Sequence, residues 1–265
     1  MNASEYFPSV GTNPLGGRLV RLESVGSTND YAWQLALDGA EHGLVVVADR
    51  QTGGRGRRGR SWLSPPGTNL AFSMLLRPTS LVPDAVPPLS LVAAAALLSC
   101  LREDVPDLSI KWPNDLYCGD RKLAGILAEM RLKGRETEFV IVGIGLNVNS
   151  GADDWPPELA ATAVSMFQAT GRKFDLDEIL QRFLAFFRRG YQDYCRQGLR
   201  GSVRRVLTEA SYLVGRRVSV VVNGRSISGT AGDIDEQGRL LVYDDHGVCW
   251  PVAAGEATVA NMEAF

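Results

Sequence analysis

Between Gly53 and Arg60 the chain reads Gly53-Gly54-Arg55-Gly56-Arg57-Arg58-Gly59-Arg60, four guanidinium groups set among four glycines. Glycine lets backbone N–H groups come close to a bound group, and arginine offers forked donors that match phosphate or carboxylate. Three uses of such a segment compete. Gly54 to Ser61 spells G-x-x-x-x-G-R-S, near the pattern of a phosphate-binding P-loop. Arg60, however, stands where that loop needs lysine, and Trp62-Leu63-Ser64-Pro65-Pro66-Gly67 cannot open the helix it requires. A Gly/Arg run also suits nucleic acid. Yet 28 Lys and Arg against 30 Asp and Glu give a net charge of −2, so general attraction to polyanions is not expected. The third use is a solvated loop with no role.

Other polar clusters lie further along. Lys111-Trp112-Pro113-Asn114-Asp115 closes an apolar run with a polar turn, a place where loops present function. Lys122 follows a turn and has the small neighbours Ala124 and Gly125, which leave room beside it for a ligand. Read blandly, Trp112 and Pro113 are core and turn residues, and Lys122 is a solvated strand end. Gly143-Ile144-Gly145-Leu146-Asn147 is no dinucleotide fingerprint, because Val148 holds the third glycine position. Its glycines mark either a tight packing contact or a surface open to a flat ligand, with Asn147 offering an amide. Ser27-Thr28-Asn29 reads first as a helix cap, and a helix start also suits anionic groups.

The elements that must position these groups follow from periodicity. Residues 1–17, with Pro8, Gly11, Pro14, Gly16 and Gly17, read as a flexible arm. Strands are expected at Arg18 to Leu22, Leu44 to Ala48, Leu70 to Leu76, Leu108 to Trp112 and Phe139 to Val148. Leu116 to Cys118 and Lys122 to Met130 flank Gly119-Asp120 as a hairpin. Helices are expected at Asp30 to Leu37, Pro87 to Glu103, Ala160 to Ala169 and Asp175 to Gln197. Beyond Gly215 come Val218 to Val222, Ser226 to Asp233, Leu240 to Tyr243 and Val248 to Val252, separated by glycine turns. Such short, closely spaced strands imply a small β-barrel-like module.

Composition narrows the class. A 45% hydrophobic, 22% charged chain of 265 residues suits one large domain with a small companion. Cys100, Cys118, Cys195 and Cys249 are scattered, and His42 and His246 are the chain's two histidines, so neither a disulfide framework nor a resident metal is expected. The longest apolar run, Leu89 to Leu98, is too short to cross a bilayer, and the N-terminus has no signal-peptide pattern. A cytoplasmic location with no membrane partner is the expectation.

Taken in order, these segments resemble the biotin–protein ligase family. The matching pieces are Gly26-Ser27-Thr28-Asn29, Gln51 to Arg60 with Trp62, Lys111 to Asp115, Lys122 to Leu127 and Gly143 to Asn149. The stretch Gly229 to Gly238 resembles that family's SH3-like end. The resemblance implies an α/β (α+β) fold: a mixed, largely antiparallel sheet with packed helices over 18–214, plus an SH3-like β-barrel over 215–265. It implies two steps. Biotin's carboxylate attacks the α-phosphate of Mg·ATP to give biotinyl-5′-AMP, and a lysine of a biotin carboxyl carrier protein then takes the biotin. A lipoate–protein ligase, which runs the same steps, is the near alternative, and a nucleic-acid-binding module is the distant one.

By the same resemblance, Lys122, Arg57 and Arg55 serve the reacting carboxylate and phosphates, and Asp115 assists deprotonation of the acceptor lysine. Ser27, Thr28, Asn29, Gln51, Gly54, Gly125 and Gly143 line a biotin slot. Arg57, Arg58, Arg60, Trp62, Lys111, Asn114 and Asn147 hold the nucleotide. Residues 53–67 are expected to order over the intermediate and keep water from it. Only 26 residues precede Ser27, too few for the DNA-binding domain that some relatives carry, so no DNA partner is expected. Ala260 stands where some relatives have a basic residue. A homodimer through sheet edges is also implied by the family, with no residue here that decides it.

Overall fold

The computed structural model describes residues 4–5, 13–79, 81–222 and 225–259. Most of the expected N-terminal arm, and Ala260, lie outside the described residues. At the arm's end, buried Asn13 donates Nδ2 to the carbonyls of Gly17 and Gly43 at 2.9 and 2.8 Å, pinning the chain to the body.

Eight strands build the larger sheet: β1 (Ser4–Glu5), β2 (Leu19–Val25), β3 (Val45–Gln51), β4 (Leu70–Leu76), β5 (Leu108–Lys111), β6 (Asp115–Cys118), β7 (Arg121–Lys133) and β8 (Glu136–Leu146). Their spatial order is β1-β2-β3-β4-β8-β7-β6-β5. Among the described residues, β2 and β3 are the one parallel strand pair. A parallel pair needs a crossover, which α1 (Thr28–Leu37) supplies. The remaining neighbours are antiparallel, so the expected mixed, largely antiparallel sheet is present.

Strand alternation then divides the residues between two faces. Phe72, Met74, Val142, Ile144, Leu146 and Ile126 enter the main core with α2 (Leu89–Leu101). Apolar around its whole circumference, α2 must be enclosed, and it lies against β5, β6 and β7 and against α5 (Leu176–Gln197) and α6 (Gly201–Glu209). The core side of α5 is a helical stripe in which Phe183, Phe187 and Tyr191 stack at four-residue spacing. Asp175 caps it, its Oδ1 accepting from the N–H groups of Asp177 and Glu178. The other face carries α1 over Val46, Leu75 and Ile141. Ser73, Gly143 and Gly145 belong to that second face, just beyond the start of α1.

One helix expectation fails. Ala160 to Ala169 is broken into α3 (Pro157–Ala160) and α4 (Met166–Thr170). The backbone between them is captured by Lys122, whose N–H donates to Thr162 O and whose carbonyl accepts from Val164 N–H. Ser165 then restarts the chain as α4 with a capping box to Gln168. Strand β1, which lies within the segment expected as a flexible arm and pairs with β2, was not foreseen; nor were helix α6 and the last strand, Ala257–Val259.

The C-terminal module is an antiparallel sheet of β9 (Arg217–Val222), β10 (Arg225–Ile234), β11 (Leu240–Tyr243), β12 (Cys249–Val252) and β13 (Ala257–Val259), in the order β12-β11-β10-β9-β13. Among the described residues it does not close into the expected barrel. It is fastened to the larger sheet by Trp112 Nε1, which donates to Gly238 O at 2.9 Å, and by Val218, Val220 and Leu240, which share the main core.

Candidate active site

The start of α1 is capped from outside. Ser27 occupies the N-cap position without a side-chain bond, and Gln51 Oε1 instead accepts from Thr28 N–H at 2.8 Å and Thr28 Oγ1 at 3.0 Å. The end of β3 is thereby locked to α1, and the Gly/Arg segment departs from that junction. It folds as a narrow hairpin: Trp62 N–H bonds Gly54 O, Gly56 N–H bonds Arg60 O, and Arg57–Gly59 makes a single 3-10 turn. Arg58 and Gly59 adopt positive φ of 56° and 74° to close that turn.

The hairpin roofs a cavity of about 340 Å³. Every residue assigned to the site from the sequence lines it except Gly54, which packs below Trp62 O and Gln51. The two lysines occupy different corners. Lys122 Nζ is 2.8 Å from Asp115 Oδ1 and lies over the Trp62 ring. Lys111 donates to Tyr117 Oη at 3.1 Å, and burial lowers its pKa against the opposing pull of Asp115. Arg57 Nη1 donates to Asn114 Oδ1 at 3.0 Å, and burial is also the main cause lowering its pKa. Asn114 spends its own Nδ2 on Ile126 O, so it holds Arg57 against β7. Arg55 turns toward α1, where its Nη2 lies 2.5 Å from Asp30 Oδ1 and 3.6 Å from Glu129 Oε1.

The paired glycines Gly125 and Gly145 form a floor against which the Trp62 indole packs. A Cβ on Gly145 would meet that ring at 2.2 Å. Three neutral polar atoms lining this cavity are buried without a partner: Trp62 Nε1, Trp155 Nε1 and Asn147 Oδ1. Asn147 directs its Nδ2 to Val164 O, leaving the acceptor idle.

The chain is similar to known proteins along most of its length. Residues 22–147 match the model of the biotin/lipoate A/B protein ligase family, and residues 213–257 match the biotin protein ligase C terminal domain. The bifunctional ligase/repressor BirA of Bacillus spizizenii is 36% identical over 94% of this chain and 76% of its own length. The chain belongs to the biotin–protein ligase family. The biotin–[acetyl-CoA-carboxylase] ligase of Paracoccus denitrificans is 34% identical over 85% of this chain and 94% of its own. The biotin protein ligase from Aquifex aeolicus in complex with biotin and ATP superposes with a TM-score of 0.77 at 30% identity, covering 91% of this chain and 98% of that one.

As in any ligase built from distant segments, some site residues carry no sequence signal. Glu256 of the C-terminal module pairs with Arg60 and lies 4.0 Å from Arg58, while Gly255 O lies 3.5 Å from Arg57 Nη1. Trp155, Leu159 and Ala163 line the cavity from the broken-helix segment. Ser73 Oγ lies 2.8 Å from Thr28 Oγ1 and 2.6 Å from Asn29 Oδ1, with a single proton to give to one of them. None belongs to a recognisable motif, because each reaches the cavity, or in the case of Ser73 the residues lining it, only through long-range folding.

Glu256 ties the hairpin to the C-terminal module through its pairing with Arg60 and Arg58. The Arg60 hydrogen bond is the largest cause, and it holds the Glu256 carboxyl below its ordinary value of 4.5. A depressed carboxyl contributes fully above that value and is lost as pH falls through the lower folded one. The tie is therefore expected to hold at neutral pH and open only in acid, which a carboxyl NMR titration of Glu256 reads directly. In the ligand-free protein at neutral pH, Glu256→Ala is expected to raise tryptic cleavage at Arg57, Arg58 and Arg60 about three-fold or more, by freeing the hairpin.

Proposed function

We infer that this chain joins biotin to ATP, releasing pyrophosphate and forming biotinyl-5′-AMP, and then passes the biotin to a lysine amine. The observation that carries this reading is one cavity combining Arg57 and Lys122 with a glycine floor and three unpaired neutral polar atoms. Carboxylate and triphosphate repel each other, so a site that unites them must supply fixed cations. The floor of Gly125 and Gly145 already accommodates a flat ring, that of Trp62. The idle Asn147 oxygen suits an exocyclic amine such as adenine's, and the two indole N–H groups suit acceptors on the ligand.

Within this reading Arg57 and Lys122 take the carboxylate and α-phosphate oxygens, with Lys111, Arg58 and Arg60 along the path of the departing pyrophosphate. Magnesium arrives with the triphosphate as part of the substrate. Gln51 keeps its Oε1 on Thr28 and has its amide N–H groups left for the biotin side. Arg55 serves chiefly to tie the hairpin to α1. Once Lys122 turns to the reacting oxygens, Asp115 is freed to receive a proton from the acceptor amine. We take that acceptor to be a lysine of the biotin carboxyl carrier protein of a carboxylase; the name of the Paracoccus relative gives acetyl-CoA carboxylase for that protein. A cytoplasmic location accompanies the reading.

Biotin-dependent exchange of pyrophosphate into ATP is the direct test. Exchange supported by lipoate and not by biotin would transfer the chain to the other acyl group. Salt-sensitive oligonucleotide binding without any exchange would favour the nucleic-acid alternative. Arg57→Ala is expected to lower kcat/KM for exchange by about 10²-fold, since the cation acts on charge that moves during the step.

A further inference from the structure

Behind Asn29 of the slot runs a polar chain that ends on Glu129, a residue with no role so far. Asn29 is buried, donates Nδ2 to Glu129 Oε2 at 2.7 Å and accepts at Oδ1 from Ser73 Oγ at 2.6 Å. Its side chain fills the space where Gly143 has none: a Cβ there would lie 2.0 Å from Asn29 Oδ1. Glu129 also faces Arg55 at 3.6 Å, and Arg55 holds Asp30 of α1. One carboxylate on β7 thus reaches α1, the glycine floor and the Gly/Arg hairpin together.

The two ends of a carboxamide have nearly the same shape, so packing alone does not choose between them. Here the partners choose. An ionised carboxylate can only accept, so it takes the NH₂ end, while the Ser73 hydroxyl serves the carbonyl end. Without Glu129 the Asn29 Nδ2 keeps only its long 3.4 Å bond to Leu127 O, so the side chain is held less firmly beside Gly143. Both bonding ends of Asn29 are committed to protein partners, which makes it part of the slot's wall.

We propose that Glu129 is a positioning residue for the biotin slot, acting through Asn29 and Arg55 without touching substrate. The proposal rests on the ligase reading above. Its prediction is a split in kinetic constants. Loss of a preformed wall weakens substrate binding equally in ground and transition states, so KM moves and kcat does not.

In the biotin-dependent exchange assay Glu129→Ala is expected to raise KM for biotin about ten-fold, with kcat within about two-fold of wild type. Glu129→Gln keeps an acceptor for Asn29 Nδ2 and is expected to recover most of that loss. An unchanged KM in Glu129→Ala overturns the proposal. So does a glutamine variant no better than alanine, or a joint fall of kcat and melting temperature that marks simple destabilisation. Wild-type protein without exchange would instead remove the ligase reading, and this proposal with it.

Discussion

Lys122→Ala is expected to reduce biotin-dependent pyrophosphate exchange by roughly 10²–10³-fold, with little change in melting temperature. The lysine sits where β7 begins, 2.8 Å from Asp115, and both side chains are partly open to the cavity. Partly exposed ion pairs contribute little to folding, so stability should scarcely register the loss. Catalysis should register it twice. The substitution removes a cation from the meeting point of two anionic reactants, and it leaves the Asp115 carboxylate facing them unpaired. Fixed charges aimed at charge that develops in the reaction commonly contribute a factor of this order. The double variant Lys122→Ala, Asp115→Asn separates the two effects, because removing the orphaned carboxylate should return part of the activity. Wild-type exchange in the single variant would dismiss Lys122 from the mechanism. A double variant no better than the single would show that Asp115 repels nothing there.

Gly145→Val is expected to raise KM for biotin on the order of 100-fold while the protein remains folded. Gly145 lies opposite Gly125 in the β7–β8 ladder, on the face turned toward the cavity. A Cβ there would stand 2.2 Å from Trp62 Cε2 and 2.4 Å from its Nε1, closer than real carbon contacts allow. Whichever ring rests on that floor, the indole or a bound ligand, must be pushed off it. Overfilling a packed site commonly costs about 1–3 kcal/mol, which corresponds to a factor of roughly 5 to 150 in binding. Valine suits a strand, so β8 itself should tolerate the change. Isothermal titration with biotin checks the point, and unchanged affinity would mean that ligand does not use this floor.

The site was legible where one short segment carries its own chemistry. The Gly/Arg run could be recognised because four guanidinium groups among glycines have few structural uses. The Lys111 to Asp115 turn and the Gly143 to Asn147 strand were legible as places of unusual composition. Their geometry was not. Arg55, expected at the reacting groups, lines the cavity and also reaches Asp30 and Glu129, which come from separate elements. Asn114, expected at the nucleotide, lines the cavity with its two polar ends on Arg57 and Ile126. The 160–169 helix failed for a similar reason. Alanine-rich propensity favours a helix, but two backbone hydrogen bonds to Lys122 outweigh a few tenths of a kcal/mol per residue.

By itself the sequence determined strands β2 to β8 of the larger sheet with helices α1, α2 and α5, the all-antiparallel C-terminal module and the position of the cationic loop. Those features are written in local periodicity and in glycine, proline and arginine spacing, which act over a few residues. Tertiary structure alone decided that Glu256 ties down the loop, that Trp62 packs against Gly125 and Gly145, and that Glu129 orients Asn29. Each of these depends on residues far apart in the chain, Arg60 and Glu256 or Asn29 and Glu129 for example. Such pairs leave no periodic trace, because their partners are chosen by the folding of the sheet rather than by neighbours along the backbone.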